Sequence, residues 1–349
     1  MSLIKYQGVP VYKRPEGFKY QWAYDIWEQH DSMVWHKNEY DLSKDVQDFA
    51  KASEEEKTFI TNVMKLFTEN DVIAASSGYS TMLRIFKPFE VYGMLSSFND
   101  REITHVHNYA NFTETIGLPS SVYTEFLDIP VMLSKTEYLD KAKVKKYEDF
   151  KSAGLSDADV DKEFRRAIAR MLAVYAGGLE GVQLFAQFAM LMLYGKSGKY
   201  PGLTTIVEWS IKDEYMHLKG NASLFRAFIE ENPDIWDDAL KYDIYQGMRE
   251  IVAYEHHLID FLNPPHAPNE QFKRYVEYMA DNALSELGMK KNWNTIVNPI
   301  PEMDDIVGTT LTDFFSSSVT EYSKTVTGSW SDIRYTHWIN ESEVCEDAE

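Results

Sequence analysis

Residues 96–112 read SSFNDREITHVHNYANF, and the fold turns on Glu102 and His105 within that stretch. On an α-helix, positions i and i+3 share a face, so a carboxylate oxygen and an imidazole nitrogen placed there can bind one ion. The same pattern recurs at Glu214-Tyr215-Met216-His217. With nine His and 55 acidic residues in 349 positions, about one such pair arises by chance, so neither pair carries weight by itself.

The separations carry the weight. Each pair is preceded by a lone acid on another apolar stretch. Asp71, in LFTENDVIAASSGY, lies 31 residues before Glu102, and Glu180, in AVYAGGLEGVQLFAQFAM, lies 34 before Glu214. A helical hairpin with arms of about 15 residues rises roughly 20 Å and returns to its starting depth. Four helices therefore bring Asp71, Glu102, His105, Glu180, Glu214 and His217 to one level. An unpaired carboxylate among such apolar residues costs several kcal/mol, and a bound cation removes that cost. Four carboxylates and two imidazoles suit a di-iron or di-manganese centre; the oxygen-rich set disfavours copper, and the lack of thiolates disfavours structural zinc. The alternative reading of the same residues is a pair of buried networks with Arg or Lys.

Outward from these segments, apolar residues recur at helical spacing over 46–86, 89–116, 157–194, 203–230, 236–263 and 269–287. The breaks GLPSS, GKSGKYPG and ENPD separate them, and strand signals are scarce. This pattern predicts an all-α antiparallel bundle over 1–307. From Gly308 the chain turns rich in Ser, Thr and scattered aromatics and ends in ESEVCEDAE, which reads as a flexible tail over 308–349.

Composition narrows the function. A hydrophobic share of 44% supports a large core, and a net charge of −20 disfavours nucleic-acid binding. The single Cys345 excludes an internal disulfide framework and fits a reducing cytoplasm. The opening MSLIKYQGVPVYKRPEGF lacks the apolar core of a secretory signal. The most apolar stretch, 171–195, is long enough to cross a membrane but carries Glu180, Gln183 and Gln187, and we read it as a buried core helix.

Tyr109 follows His105 by four residues and so faces the same interior. By itself it would be an ordinary core aromatic; beside an oxygen-activating centre, a phenol in a dry pocket can be oxidised by one electron. Asp71, Glu102-x-x-His105-x-x-x-Tyr109, Glu180 and Asp213-Glu214-x-x-His217 together resemble the motif of the radical-generating small subunit of class I ribonucleotide reductase, in residue type, order and spacing. The resemblance covers most of the chain and implies a ferritin-like bundle with two iron or two manganese ions. Asp71, Glu102 and His105 would hold one ion and Glu180, Glu214 and His217 the other, with Glu102 and Glu214 bridging and Tyr109 as the stable radical.

The resemblance further implies a radical route. Trp35, in SMVWHKNEY, would be linked through Asp213 to His105, and Tyr322, in DFFSSSVTEYSK, would relay the radical to a large subunit that reduces ribonucleoside di- or triphosphates. Read from the residues alone, Trp35 is an interfacial or core aromatic and Asp213 a helix-surface acid. The tail around Trp330, Tyr335 and Trp338 resembles a docking peptide for that partner. A homodimer and a flavodoxin-like activase are further implied partners. The rival readings are a ferritin-like di-metal oxidase acting directly on a small or lipid substrate, and an iron-storage bundle. Asp71 as the first ligand, where the related oxidases use Glu, and the long aromatic tail count against the oxidase.

Overall fold

The computed structural model describes residues 3–4, 12–13, 16–142, 144–145, 149 and 156–304. Its α-helices among these residues include α1 Gln21–Asp31, α2 Ser43–Lys51, α3 Glu54–Ile73, α4 Ser80–Ile85, α5 Phe89–Thr115, α6 Val122–Glu125, α7 Pro130–Ala142, α8 Asp157–Ala173, α9 Phe185–Lys196, α10 Pro201–Glu231, α11 Asp238–Leu262 and α12 Asn269–Glu286. No strand element occurs among the described residues. The predicted tail over 308–349, with Tyr322, lies outside them.

The helix read over 46–86 is two. The backbone turns extended at Ala52 (φ −65°, ψ 151°), and the Ser53 hydroxyl accepts the Glu56 N–H to start α3 under three acidic residues. A capping serine followed by acids satisfies free N–H groups and the positive helix end, which restarts the helix after a two-residue break. α1 and α7 had no expected counterpart; α1 is an aromatic-rich segment, QWAYDIWEQHD, whose periodicity is weaker than its burial against α5.

Two helices are interrupted by π-turns. One, Ala74–Tyr79, joins α3 to α4 three residues after Asp71; the other, Val174–Gln183, joins α8 to α9 and contains Glu180. A π-turn inserts an extra residue, widening the helix and re-aiming its side chains, and such turns concentrate at functional sites. The two meet at Gly78, where a Cβ would lie 2.4 Å from the Tyr175 ring, so only glycine permits the approach.

The register of α10 is fixed from outside. Asp45 of α2 accepts the N–H groups of Gly202 and Leu203 at 3.0 and 2.8 Å, stabilising the positive end of the helix that carries Glu214 and His217. The run from Asp157 to Lys196 is long and apolar enough to span a membrane, but its most apolar window is 89% buried inside the protein, as expected of a core helix. Around the carboxylates the core divides into two apolar clusters. One holds Phe67, Tyr109, Phe112, Phe188 and Ile211; the other holds Tyr79, Met94, Phe98 and Leu179.

Candidate metal centre

The six expected ligands converge. α3 supplies Asp71, α5 Glu102 and His105, the second π-turn Glu180, and α10 Glu214 and His217, and none is more than 1% exposed. Their donor atoms form two overlapping groups, Asp71–Glu102–His105 and Glu102–Glu180–Glu214–His217, each spanning no more than 4.8 Å. Glu102 belongs to both. Glu214 also reaches both histidines, with Oε1 3.2 Å from His105 Nδ1 and Oε2 3.1 Å from His217 Nδ1.

The arrangement fits cations better than hydrogen bonds. Asp71 Oδ2, both oxygens of Glu102, His105 Nδ1, Glu180 Oε2 and Glu214 Oε1 are buried and have no hydrogen-bond partner. His217 Nδ1 approaches Glu102 Oε1 to 2.8 Å, yet that oxygen makes no hydrogen bond. Buried polar atoms are almost always satisfied, so lone pairs gathered on one point mark a place for positive charge. The alternative of Arg or Lys pairing fails here: neither residue type forms an ion pair with any of the six among the described residues, and Glu102, Glu180 and Glu214 instead approach the histidines.

Electrostatics agree. Burial, and then the Glu102 charge, holds the Asp71 carboxyl well above its usual range; burial and then Glu214 do the same to Glu180. Burial also acts to raise Glu214, but its contacts with His105 and His217 prevail and hold it well below. Both histidines are pushed well up because acidic partners outweigh their burial. Before ions bind, Asp71, Glu180 and both imidazoles hold protons more tightly than usual, so protons and cations compete for the same atoms.

The outward faces of the histidines set their tautomers. His105 Nε2 lies 3.1 Å from Asp213 Oδ2, and a carboxylate only accepts, so the proton sits on Nε2 and the Nδ1 lone pair faces the centre. Trp35 Nε1 donates to the same Asp213 oxygen at 2.8 Å, and Arg101 pairs with the other. Asp213 is thus no surface acid: it is 1% exposed, and its carboxyl, raised by burial, is brought down to about 2 by His105 and Arg101. Trp35 is buried, stacks on His105 with ring centroids 5.8 Å apart, and touches Trp209 at 5.2 Å.

On the other side, His217 Nε2 lies 3.2 Å from Nε2 of the buried His30. His30 Nδ1 lies 2.7 Å from the Ser97 hydroxyl, which donates to Asp31. His30 is kept neutral by burial and by His217, so it accepts from His217 and donates to Ser97. Tyr109, 2% exposed, donates to the Ser210 hydroxyl at 2.7 Å, and Ser210 in turn donates to the Ile206 carbonyl at 3.0 Å. Burial, and then the Asp71 charge, holds the phenol well above its usual range.

Sequence reasoning missed Arg101, His30, Asn221 and Tyr79. Arg101 and Asn221 carried a legible signal, since they lie four residues before His105 and four after His217 on faces already assigned to the interior. His30 and Tyr79 carried none, because they sit on an unexpected helix and an unexpected π-turn.

Residues 16–299 match the family model described as ribonucleotide reductase, small chain. The probable ribonucleoside-diphosphate reductase small subunit of invertebrate iridescent virus 6 is 32% identical, with 95% of this chain and 99% of that protein covered. The ribonucleoside-diphosphate reductase small chain of vaccinia virus (strain Western Reserve) is 26% identical, over 86% of this chain and 89% of its own. Among solved structures, the ribonucleotide reductase R2 subunit of Clostridium botulinum matches with a TM-score of 0.76 at 20% identity, covering 88% of this chain and 94% of that one. The dimanganese(II)-NrdF of Streptococcus sanguinis matches with a TM-score of 0.70 at 18% identity, covering 88% and 100%. These likenesses establish the fold, a ferritin-like bundle. From its matched length, its buried carboxylate and histidine group and its relatives, the chain belongs to the ribonucleotide reductase small-chain family, a family of oxidoreductase subunits whose partner is a large subunit.

Proposed function

We propose that Asp71, Glu102 and His105 hold one iron or manganese ion and Glu180, Glu214 and His217 a second, with Glu102 and Glu214 straddling both, and that Tyr109 carries a radical lent to the large subunit for reduction of ribonucleotides to deoxyribonucleotides. Bound ions of this kind supply one-electron oxidising power drawn from oxygen. The chain supplies the rest. Its unpaired lone pairs fix where the ions sit, and its apolar cluster keeps water and reductants from the Tyr109 phenol. Asp213 links Trp35 to His105 by hydrogen bonds, giving an electron a bonded way between Trp35 and the centre, with Tyr322 as the proposed relay to the large subunit.

The observation that carries the reading is the convergence of six buried, unsatisfied donor atoms one helical turn from a sealed phenol. The same chain of Trp35, Asp213 and His105 has no use in an oxidase that acts on its own small or lipid substrate, or in an iron store. Loading the protein with Fe(II) or Mn(II), exposing it to air and recording electron paramagnetic resonance tests the reading. A tyrosyl signal that disappears in Tyr109→Phe supports it; a signal unchanged in that variant sinks the assignment. If the manganese form gives no signal in air, adding a flavodoxin-like activase tests that partner. Sedimentation of the purified chain tests the homodimer, and truncation before Tyr322 should keep the radical and abolish activity with the large subunit.

A further inference from the structure

Tyr79 is a second phenol at the centre, and no part of the proposed radical chemistry uses it. It is 1% exposed, lies in the π-turn after α3, and donates to Glu180 Oε1 at 2.6 Å. Asn221, fully buried on α10, donates to the Tyr79 oxygen at 3.0 Å. A phenol has one proton to give, and because Asn221 meets its oxygen as a donor, that proton goes to Glu180. The other carboxylate oxygen, Glu180 Oε2, has no hydrogen bond and lies 3.5 Å from His217 Nδ1, on the side of the centre. The ring is held by Phe98 and His217, at centroid distances of 6.0 and 5.9 Å.

We propose that Tyr79 is a positioning residue for the second metal ion: with Asn221 behind it, it ties back Oε1 of Glu180 and presents Oε2 alone, so that Glu180 binds through a single, preset oxygen. The inference rests on the metal-centre reading above and adds a residue, and a coordination mode for Glu180, to it. Partners that orient a ligand from behind typically change metal affinity by about 10- to 100-fold when removed.

Titration of the full-length apoprotein with Mn(II), following the free ion by electron paramagnetic resonance, tests this without any turnover. Wild type should take up two equivalents, and Glu180→Ala identifies the step that belongs to Glu180. In Tyr79→Phe that step should weaken by about tenfold while the other keeps its midpoint, and Asn221→Ala should shift the same step by less. The proposal is overturned if the Glu180 step is unchanged or tightens in Tyr79→Phe, or if both steps move together. Thermal unfolding of the apoprotein variants checks folding, and if Tyr79→Phe fails to fold, Asn221→Ala decides alone: no shift in its Glu180 step overturns the proposal. Failure of wild type to bind two equivalents would instead remove the metal-centre reading itself, and this proposal with it.

Discussion

The half-site of Asp71, Glu102 and His105 and the half-site of Glu180, Glu214 and His217 use the same ligand types at the same helical spacing, and they diverge at the fourth residue past each histidine. After His105 that residue is Tyr109, whose hydroxyl turns to Ser210 and makes no hydrogen bond to a ligand carboxylate. After His217 it is Asn221, which presses Tyr79 onto Glu180. The histidines differ outward as well: His105 leans on a charged group, Asp213 with Arg101 and Trp35, while His217 leans on neutral His30. One side points its phenol away from the carboxylates and joins its histidine through Asp213 to Trp35. The other ties its phenol to a ligand. Near-symmetric sets of candidate ligands are thus made unequal by their neighbours alone.

The sharpest way to break this comparison is Tyr109→Phe, which should remove the tyrosyl signal entirely while both ions still bind, as metal analysis would show. Next in size is Trp35→Phe, which keeps the buried ring but deletes the donor to Asp213. Reductase activity with the large subunit should fall roughly 10- to 100-fold with the radical signal retained; activity at the wild-type level would remove Trp35 from the route.

On the Glu180 side, Lys135 is 1% exposed, pairs with the buried Glu255 at 2.8 Å and donates to the Gln183 carbonyl at the end of the π-turn. Lys135→Met strands Glu255 and should cost about 3–5 kcal/mol, seen as a lower denaturant midpoint. An exposed pair such as Lys57 with Glu54 should contribute only about 0.5 kcal/mol by the same measure.

Metal affinity should fall as the medium is acidified. Asp71, Glu180, His105 and His217 all bind protons more tightly in the apoprotein than their free counterparts, and each proton displaced by the ions weakens binding by about tenfold per pH unit lowered. Proton release measured during Mn(II) binding checks the sign. The smallest effect is expected for Ser210→Ala, which removes one hydrogen bond of about 1 kcal/mol. It should alter the hyperfine pattern of the Tyr109 signal without lowering its yield, because Ser210 touches the phenol and no ligand.

Much of this was legible beforehand because ligand spacing and helical period are local properties. A carboxylate three residues before a histidine lies on one face wherever a helix forms, and equal hairpin lengths bring two such faces to one depth. The helices over 157–196, 201–231, 238–262 and 269–286 end within a few residues of their expected bounds. What was misread had long-range causes. Asp213 looked like a surface acid because nothing adjacent in the chain announces Arg101 or Trp35, which are 112 and 178 residues away. The π-turns carry no periodic signal, since a single extra residue is absorbed by packing at Gly78 and Tyr175 rather than specified by residue type.

The sequence by itself determined the helical bundle, the gathering of the six candidate ligands and the inward placement of Tyr109, because each follows from period and spacing along one helix or one hairpin. Only the tertiary structure decided which oxygen of each carboxylate faces the centre, which nitrogen of each histidine keeps its proton, and which of the two phenols beside it bonds to a carboxylate. Those choices are made by hydrogen bonds between residues more than 100 positions apart, such as Tyr79 with Glu180 and Tyr109 with Ser210, and they exist only once the helices have packed.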